Sequence, residues 1–278
     1  MTASLPRVLS IAGSDSSGGA GIQADIKTAT ALGAYAMTAI TAVTAQNTHG
    51  IHAIHQIPAA IVREQIAWTL ADIGADAIKI GMLGSAEVVE AVADVLSAQA
   101  KDIPIVLDPV MASTSGTVLL DRAGQKTMAA RLFPLAALVT PNIPEAEILA
   151  GIPIHGLEDV MRAAEILCAG GVKAVLVKGG HAEESDVQDT LVLAGSPESY
   201  HFESPRIDTL HTHGAGCTLA TAIAVGLGQG HRLRDAAERA HRFVHDAIET
   251  ASGFGSGRGP VNHMHAIPAY GFKSVFED

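Results

Sequence analysis

Cysteine is almost missing from this chain of 278 residues: Cys168 and Cys217 are its two thiols. Two residues so far apart make no disulfide framework, and their separation does not match the spacing of a metal-binding cluster, so a reducing cytoplasm is the expected location. Positive charge is also short. Eighteen Lys and Arg stand against 29 Asp and Glu, a formal charge of −11. No basic stripe is available to neutralise a phosphate backbone, and nucleic acid is not an expected partner. No apolar run approaches the roughly 20 residues that span a bilayer. Met1 to Leu5 is not a basic segment leading into an apolar one, so neither membrane insertion nor export is expected.

What remains is apolar and glycine-rich, with 48% hydrophobic residues and 28 glycines. The length suits one α/β domain over residues 1–278. Continuous apolar runs at Val8–Ala12, Ala36–Ala45, Ala75–Ile80, Pro104–Leu107, Ala137–Thr140 and Lys173–Lys178 read as strands buried on both faces. Helical periodicity falls between and after them, at Ala20–Leu32, Ala59–Ile73, Ala86–Ala98, Arg122–Leu132, Glu158–Ala169, Ala215–Gly228 and Arg234–Ala251. The alternation predicts right-handed βαβ units and a mainly parallel sheet covered on both sides. Gly195–Pro205 and Gly253–Pro260 read as short Pro/Gly/Ser-rich connections.

Polar and glycine signatures follow directly on the strands: Gly13-Ser14-Asp15, Gln46-Asn47, Gly81-Met82, Asp108-Pro109, Asn142 with Glu145, and Lys178-Gly179-Gly180-His181. Ligands of open α/β sheets bind beyond the carboxyl ends of the strands, so these residues are expected around one crevice. The sharpest motif is His213-Gly214-Ala215-Gly216-Cys217-Thr218, followed by a small, apolar helix. Its glycines let successive amides of Gly214, Ala215 and Gly216 turn inward while the helix directs its positive end at the same point, an anion hole, and the same spacing equally fits a tight turn before a packed helix. Cys217 at the helix start is expected to have a lowered pKa and thiolate character.

Two nucleotide-binding signatures are incomplete, the first excluded and the second disfavoured. Gly13 to Gly18 has P-loop spacing, but Gly19 stands where the Lys belongs. Gly19-Ala20-Gly21-Ile22-Gln23-Ala24 fits a relaxed dinucleotide fingerprint, yet the acidic ribose partner is replaced by Thr41-Ala42-Val43-Thr44. These glycines instead let backbone lie close to a small substrate, with Asp25 facing it. Asp108 and Glu145, with Asn142 nearby, have the chemistry to hold Mg²⁺ largely through waters. Glu145 is equally readable as a first-turn acid complementing a helix dipole. Lys178 suits a nucleotide phosphate as a point charge, or is a solvated lysine before a turn. Thirteen histidines include His241 and His245 at helical spacing, but the Glu of a zincin is missing, and surface or supporting roles are expected for all of them.

Taken in order along the chain, Ile11–Lys27, Thr44–Thr48, Lys79–Leu83, Leu107–Met111, Thr140–Asn142, Lys178–His181 and Thr212–Thr218 resemble the bacterial hydroxymethylpyrimidine/phosphomethylpyrimidine kinases of the ribokinase superfamily. The resemblance implies a ribokinase-like three-layer α/β/α sandwich, ATP and Mg²⁺ as cofactors, a small aminopyrimidine alcohol as substrate, and two successive phosphorylations. It also implies a homodimer. By the same resemblance Gln46 reads the aminopyrimidine edge, Met82 packs on the ring with Gly13 and Val110 beside it, and Asp25 approaches the hydroxymethyl group. Lys178, Asn142 and Thr212 would meet ATP. The wider superfamily carries an Asp where this chain has Cys217, which is thereby assigned to accept or orient the acceptor hydroxyl. A pyridoxal or pyridoxine kinase is the rival activity, and a non-catalytic pyrimidine or nucleotide sensor on the same fold is the rival class.

Overall fold

A computed structural model describes residues 5–113, 115–179 and 185–268. The strands are β1 (Arg7–Asp15), β2 (Tyr35–Asn47), β3 (Gly50–Gln56), β4 (Ala77–Ile80), β5 (Ile105–Leu107), β6 (Leu138–Val139), β7 (Ala174–Val177), β8 (Asp186–Leu193) and β9 (Ser199–Pro205). The helices are α1 (Gly21–Ala31), α2 (Ala59–Asp72), α3 (Ala86–Gln99), α4 (Arg122–Arg131), α5 (Ile143–Ala150), α6 (Leu157–Ala169), α7 (Ala215–Gly228) and α8 (Leu233–Glu249). All nine strands form one sheet in the order β3-β2-β1-β4-β5-β6-β7-β8-β9. The run from β2 to β7 is parallel, and antiparallel β3, β8 and β9 extend its two edges.

The strand period of two divides each apolar run between two cores. Leu9, Ile11, Ile78, Ile80, Leu107 and Val175 pack against α2 to α6 on one face. Val8, Ala77, Val106, Leu138 and Leu176 pack against α1, α7 and α8 on the other. A sheet covered by helices on both faces is the expected α/β/α sandwich. The parallel run was visible in the sequence because both faces are buried. The outer strands were not: none of β3 is buried and Phe202 alone is buried in β9, so neither carries an apolar period. β9 lies inside the stretch expected to be a connection, and β8 and α5 complete the elements that the apolar pattern did not reveal.

The chain leaves β1 for β2 on one side and returns to β4 on the other. This reversal opens a crevice at the carboxyl ends of β1 and β4, where strand order switches. Backbone irregularities lie at its rim. Pairing shifts register between Ala12 and Ser14 in β1 and between Ala45 and Gln46 in β2, local kinks that re-aim the side chains beyond them.

Candidate active site

The crevice deepens into a cleft of about 730 Å³. One end of it is shaped by the loop from Gly13 to Gly21. Asp15 gathers that loop, accepting from the backbone N–H groups of Ser17 (2.8 Å), Gly19 (3.2 Å) and Ala20 (2.9 Å) and from the Ser17 hydroxyl (2.7 Å). His213 Nε2 adds a bond of 2.8 Å. Burial alone would raise the Asp15 carboxyl, but the donors, His213 first, outweigh it and hold the group at about 2. Gln46 enters the cleft beside them. The Ser16 hydroxyl clips its backbone, accepting from Gln46 N at 2.8 Å and donating to its carbonyl at 3.0 Å. Gly13, Met82 and Val110 line the cleft as well.

The other end carries charge. Lys178 donates to Asp108 Oδ1 at 2.7 Å and lies 3.9 Å from Glu145 Oε2. Burial opposes the Lys178 ammonium, but the carboxylates of Asp108 and Glu145 more than offset it and its pKa is raised. Glu145 is pushed up from 4.5 to about 6 by burial and by its neighbour Asp108, despite the pull of Lys178. Asn142 and Glu145 close a capping box at the start of α5, each side chain accepting from the other's backbone N–H at 2.9 Å. The two sequence readings of Glu145 therefore coexist: it caps the helix and it faces the cleft. Two carboxylates sharing one ammonium leave negative charge in excess, and a hydrated divalent cation fits that donor set.

Thr212 and the turn Gly214 to Cys217 also line the cleft. Gly214 caps α7 with φ 86°, and a Cβ there would collide with the Gly19 carbonyl, so only glycine passes. The start of α7 thus packs directly against the glycine loop.

Three expectations are corrected. The Ala215 N–H does not turn into the cleft but donates to the Thr212 carbonyl at 3.1 Å, closing the turn before α7. Asp25 is not among the cleft-lining residues. It lies beneath the floor, where its carboxylate accepts from Lys79 Nζ (3.0 and 2.9 Å), Thr221 Oγ1 (2.7 Å) and Ser10 Oγ (2.5 Å). Lys79 is 0% exposed. The Asp25 carboxylate thus ties α1 to β4 through Lys79 and to α7 through Thr221, and the pair puts a fixed cation and anion under the site. Cys217 lines the cleft, but its pKa is not lowered. Burial pushes the thiol up to about 11; Lys79 opposes the rise, while Asp25 and Asp108 add to it. The helix terminus does not overcome that desolvation.

Other residues escaped the sequence reading. His213 meets a carboxylate, Asp15, although its sequence neighbours include none. His241 is buried and bonds Asp189 Oδ2 at 2.8 Å through Nδ1, while Asp189 Oδ1 accepts from Gly179 N at 3.0 Å. This bridge anchors α8 to the turn that follows Lys178. Gly180 and His181, the rest of that motif, lie outside the described residues.

Phosphoryl transfer needs little covalent help from a protein and much positioning and charge compensation. A cleft lined by a glycine turn at a helix start, with one lysine among carboxylates and a separate polar end, has the construction of a small-molecule kinase. The comparisons with known proteins give the same class and narrow it. A family model described as phosphomethylpyrimidine kinase matches residues 15–262, and the chain belongs to that family. It is 43% identical over 262 residues to the hydroxymethylpyrimidine/phosphomethylpyrimidine kinase of Streptomyces coelicolor, covering 94% of this chain and 96% of that one. It is 48% identical over 259 residues to the thiamine biosynthesis bifunctional protein ThiED of Geobacter sulfurreducens, covering 93% of this chain but 52% of that longer protein. The fold matches the pyridoxal kinase of Staphylococcus aureus solved with AMP-PCP and pyridoxal, with a TM-score of 0.86, 35% identity and 94% of each chain covered.

Proposed function

We propose that this kinase transfers the γ-phosphoryl group of ATP to the hydroxymethyl oxygen of 4-amino-5-hydroxymethyl-2-methylpyrimidine, and then phosphorylates the monophosphate to the diphosphate, in thiamine biosynthesis. The observation that carries this reading is a cleft lined by a carboxamide, Gln46, and by the Gly214–Cys217 turn with Lys178 beside it. A carboxamide pairs with a ring nitrogen and an adjacent amine together. Met82, Gly13 and Val110 form the apolar slot for the ring.

In the transfer, an oxygen–phosphorus bond forms at the acceptor alcohol, the bond from the γ-phosphorus to the β–γ bridging oxygen breaks, and ADP leaves. The proton of the alcohol passes to an oxygen of the transferred phosphoryl group and from there to solvent. The amides of Gly214 and Gly216 meet the charge on the moving group, and Lys178, Thr212 and Asn142 meet the nucleotide phosphates. Asp108 and Glu145 would hold Mg²⁺ through waters; when bound, the ion supplies charge neutralisation between phosphates. Cys217 orients the acceptor hydroxyl. Incubating the protein with ATP and the aminopyrimidine alcohol, with monophosphate and diphosphate separated chromatographically, tests the reading. Sequential appearance of both products is expected, and no phosphorylated pyrimidine would overturn it.

The fold match to a pyridoxal kinase supports a second activity on pyridoxal. Competition of the two acceptors for ATP separates them, with the aminopyrimidine expected to win. The assembly proposed is a homodimer. Trp68 (73% exposed) and Ile61 (52%) on α2 offer apolar surface to a second copy. Light scattering on the wild type and on Trp68→Glu checks that assignment, a monomeric wild type overturning it. Among the described residues no helix is long and apolar enough to cross a membrane. The unpaired Cys168 and Cys217 suit the reducing cytoplasm proposed as its location.

A further inference from the structure

The Gln46 carboxamide has two settings, related by half a turn about its last bond, that occupy the same space. In one, Nε2 lies 3.3 Å from His213 Nε2 and Oε1 lies 3.2 Å from Thr44 Oγ1. The protons of its neighbours decide between them. His213 Nε2 is 2.8 Å from Asp15 Oδ2. A carboxylate only accepts, so His213 Nε2 carries the proton and has no lone pair to offer. An amide N–H₂ facing it would be donor against donor. The Thr44 hydroxyl has one proton, and at 3.0 Å the Ser14 carbonyl, again purely an acceptor, takes it. Thr44 Oγ1 is then free to accept. Both neighbours favour the reversed setting, with the Gln46 oxygen toward His213 and its nitrogen toward Thr44.

The reversed setting fixes what the carboxamide asks of a ligand. A donor must lie on the His213 side and an acceptor on the Thr44 side. In an aminopyrimidine alcohol these are the exocyclic amine and the adjacent ring nitrogen. The carbon bearing the hydroxymethyl group is next to the carbon bearing the amine, so it falls on the His213 side. The chain continues from His213 directly into Gly214–Cys217. The other setting would turn the alcohol toward Thr44 and Ser14, away from that turn. We propose that His213, locked by Asp15, is a positioning residue that sets the Gln46 carboxamide, selects an amine-bearing edge and steers the acceptor alcohol toward Gly214–Cys217. This rests on the aminopyrimidine reading above and adds the group that enforces it.

The test compares the aminopyrimidine alcohol with its 4-oxo analogue, in which the donor and acceptor on that edge are exchanged. Calorimetric Kd values give the preference independently of turnover, and wild-type turnover of the amine tests the kinase reading separately. The wild type should prefer the amine by about a hundredfold, the combined effect of two mismatched hydrogen bonds. In His213→Phe the carboxamide is free to turn, and the preference should fall about tenfold, with KM for the amine rising more than kcat falls. His213→Gln, which keeps a side-chain N–H, should restore most of it. If His213→Phe fails to fold, Thr44→Val removes the acceptor on the opposite side and should erode the preference in the same direction. A wild type that binds both ligands equally or neither, or a folded His213→Phe (otherwise Thr44→Val) with the wild-type preference, overturns the proposal.

Discussion

The two ends of the cleft follow opposite electrostatic plans. At the Gln46 end, Asp15 has a donor for each direction it faces and stays ionised at about 2 even though it is buried. Gln46 is held by the Ser16 hydroxyl through its backbone and by His213 and Thr44 through its side chain. At the Lys178 end, Asp108 and Glu145 share one ammonium, and Glu145 rises to about 6 because the charge is not balanced. A saturated end is a template whose shape exists before the ligand arrives. An unbalanced end is completed by what binds. The contrast predicts that mutations at the template change selectivity, whereas those at the charged end change turnover and its pH dependence.

The largest effect on turnover is expected from Lys178→Met. Losing a cation positioned at the developing charge typically lowers kcat by about 10² to 10³. It also leaves Asp108 and Glu145 facing each other uncompensated. Steady-state kinetics on ATP and the acceptor measures it, and a loss below fivefold would show that this end is not where the phosphoryl group is stabilised.

Beneath both ends lies the Lys79–Asp25 pair, fully buried and hydrogen-bonded. Lys79→Met strands a carboxylate in the core, a change that costs about 3–5 kcal/mol. Replacing both partners, Lys79→Met with Asp25→Leu, should recover much of that loss because no charge is left unpaired. Denaturant melts of the single and double variants decide whether the pair is structural support common to the two ends, and equal destabilisation by both would refute it.

A smaller effect isolates Glu145. Its folded pKa lies above the ordinary 4.5, so the protonated form is favoured by folding, and the associated stability is complete below 4.5 and lost as pH rises through about 6. Glu145→Gln keeps the acceptor needed for the capping box. It should be more stable than wild type at pH 7 by about 1–2 kcal/mol. Wild-type affinity for Mg²⁺·ADP should weaken about tenfold as pH falls from 7 to 5 and the carboxylate is neutralised, whereas the variant should bind weakly and nearly independently of pH. Calorimetry across that range checks both slopes.

The same contrast explains what could be read from the sequence. The parallel strands were legible because each is a continuous apolar run, and the crevice because those runs end in Gly13, Gln46, Gly81, Asp108 and Lys178. The Gly214–Cys217 turn is contiguous, so its spacing is visible in the sequence. Partnerships across long separations did not: His213 finds Asp15, His241 finds Asp189, and Asp25 finds Lys79 only when the sheet is assembled. One signal was available. Lys79 is the lone charge in the buried strand Ala77–Ile80, and a charge there requires a partner. Cys217 was misread because helix position is local and visible, whereas the desolvation that overrides it is a property of the packed fold.

Cys217 therefore tests the boundary between the two ends with the smallest expected change. With its pKa near 11 it is a neutral thiol at pH 8 in the free protein, and it should resist alkylation by iodoacetamide there. A general base contributes typically 10²–10⁴-fold, and a neutral thiol has no such contribution to lose. As a group that orients the hydroxyl, its removal in Cys217→Ala should lower kcat by about tenfold or less, since one neutral hydrogen bond is worth about 1 kcal/mol. Rapid alkylation at pH 8, or a kcat loss of about a hundredfold in a folded Cys217→Ala, would show that substrate chemistry uses a thiolate after all. In that case the Lys79 ammonium below it becomes part of the catalytic electrostatics, and Lys79→Met should move the alkylation midpoint to higher pH.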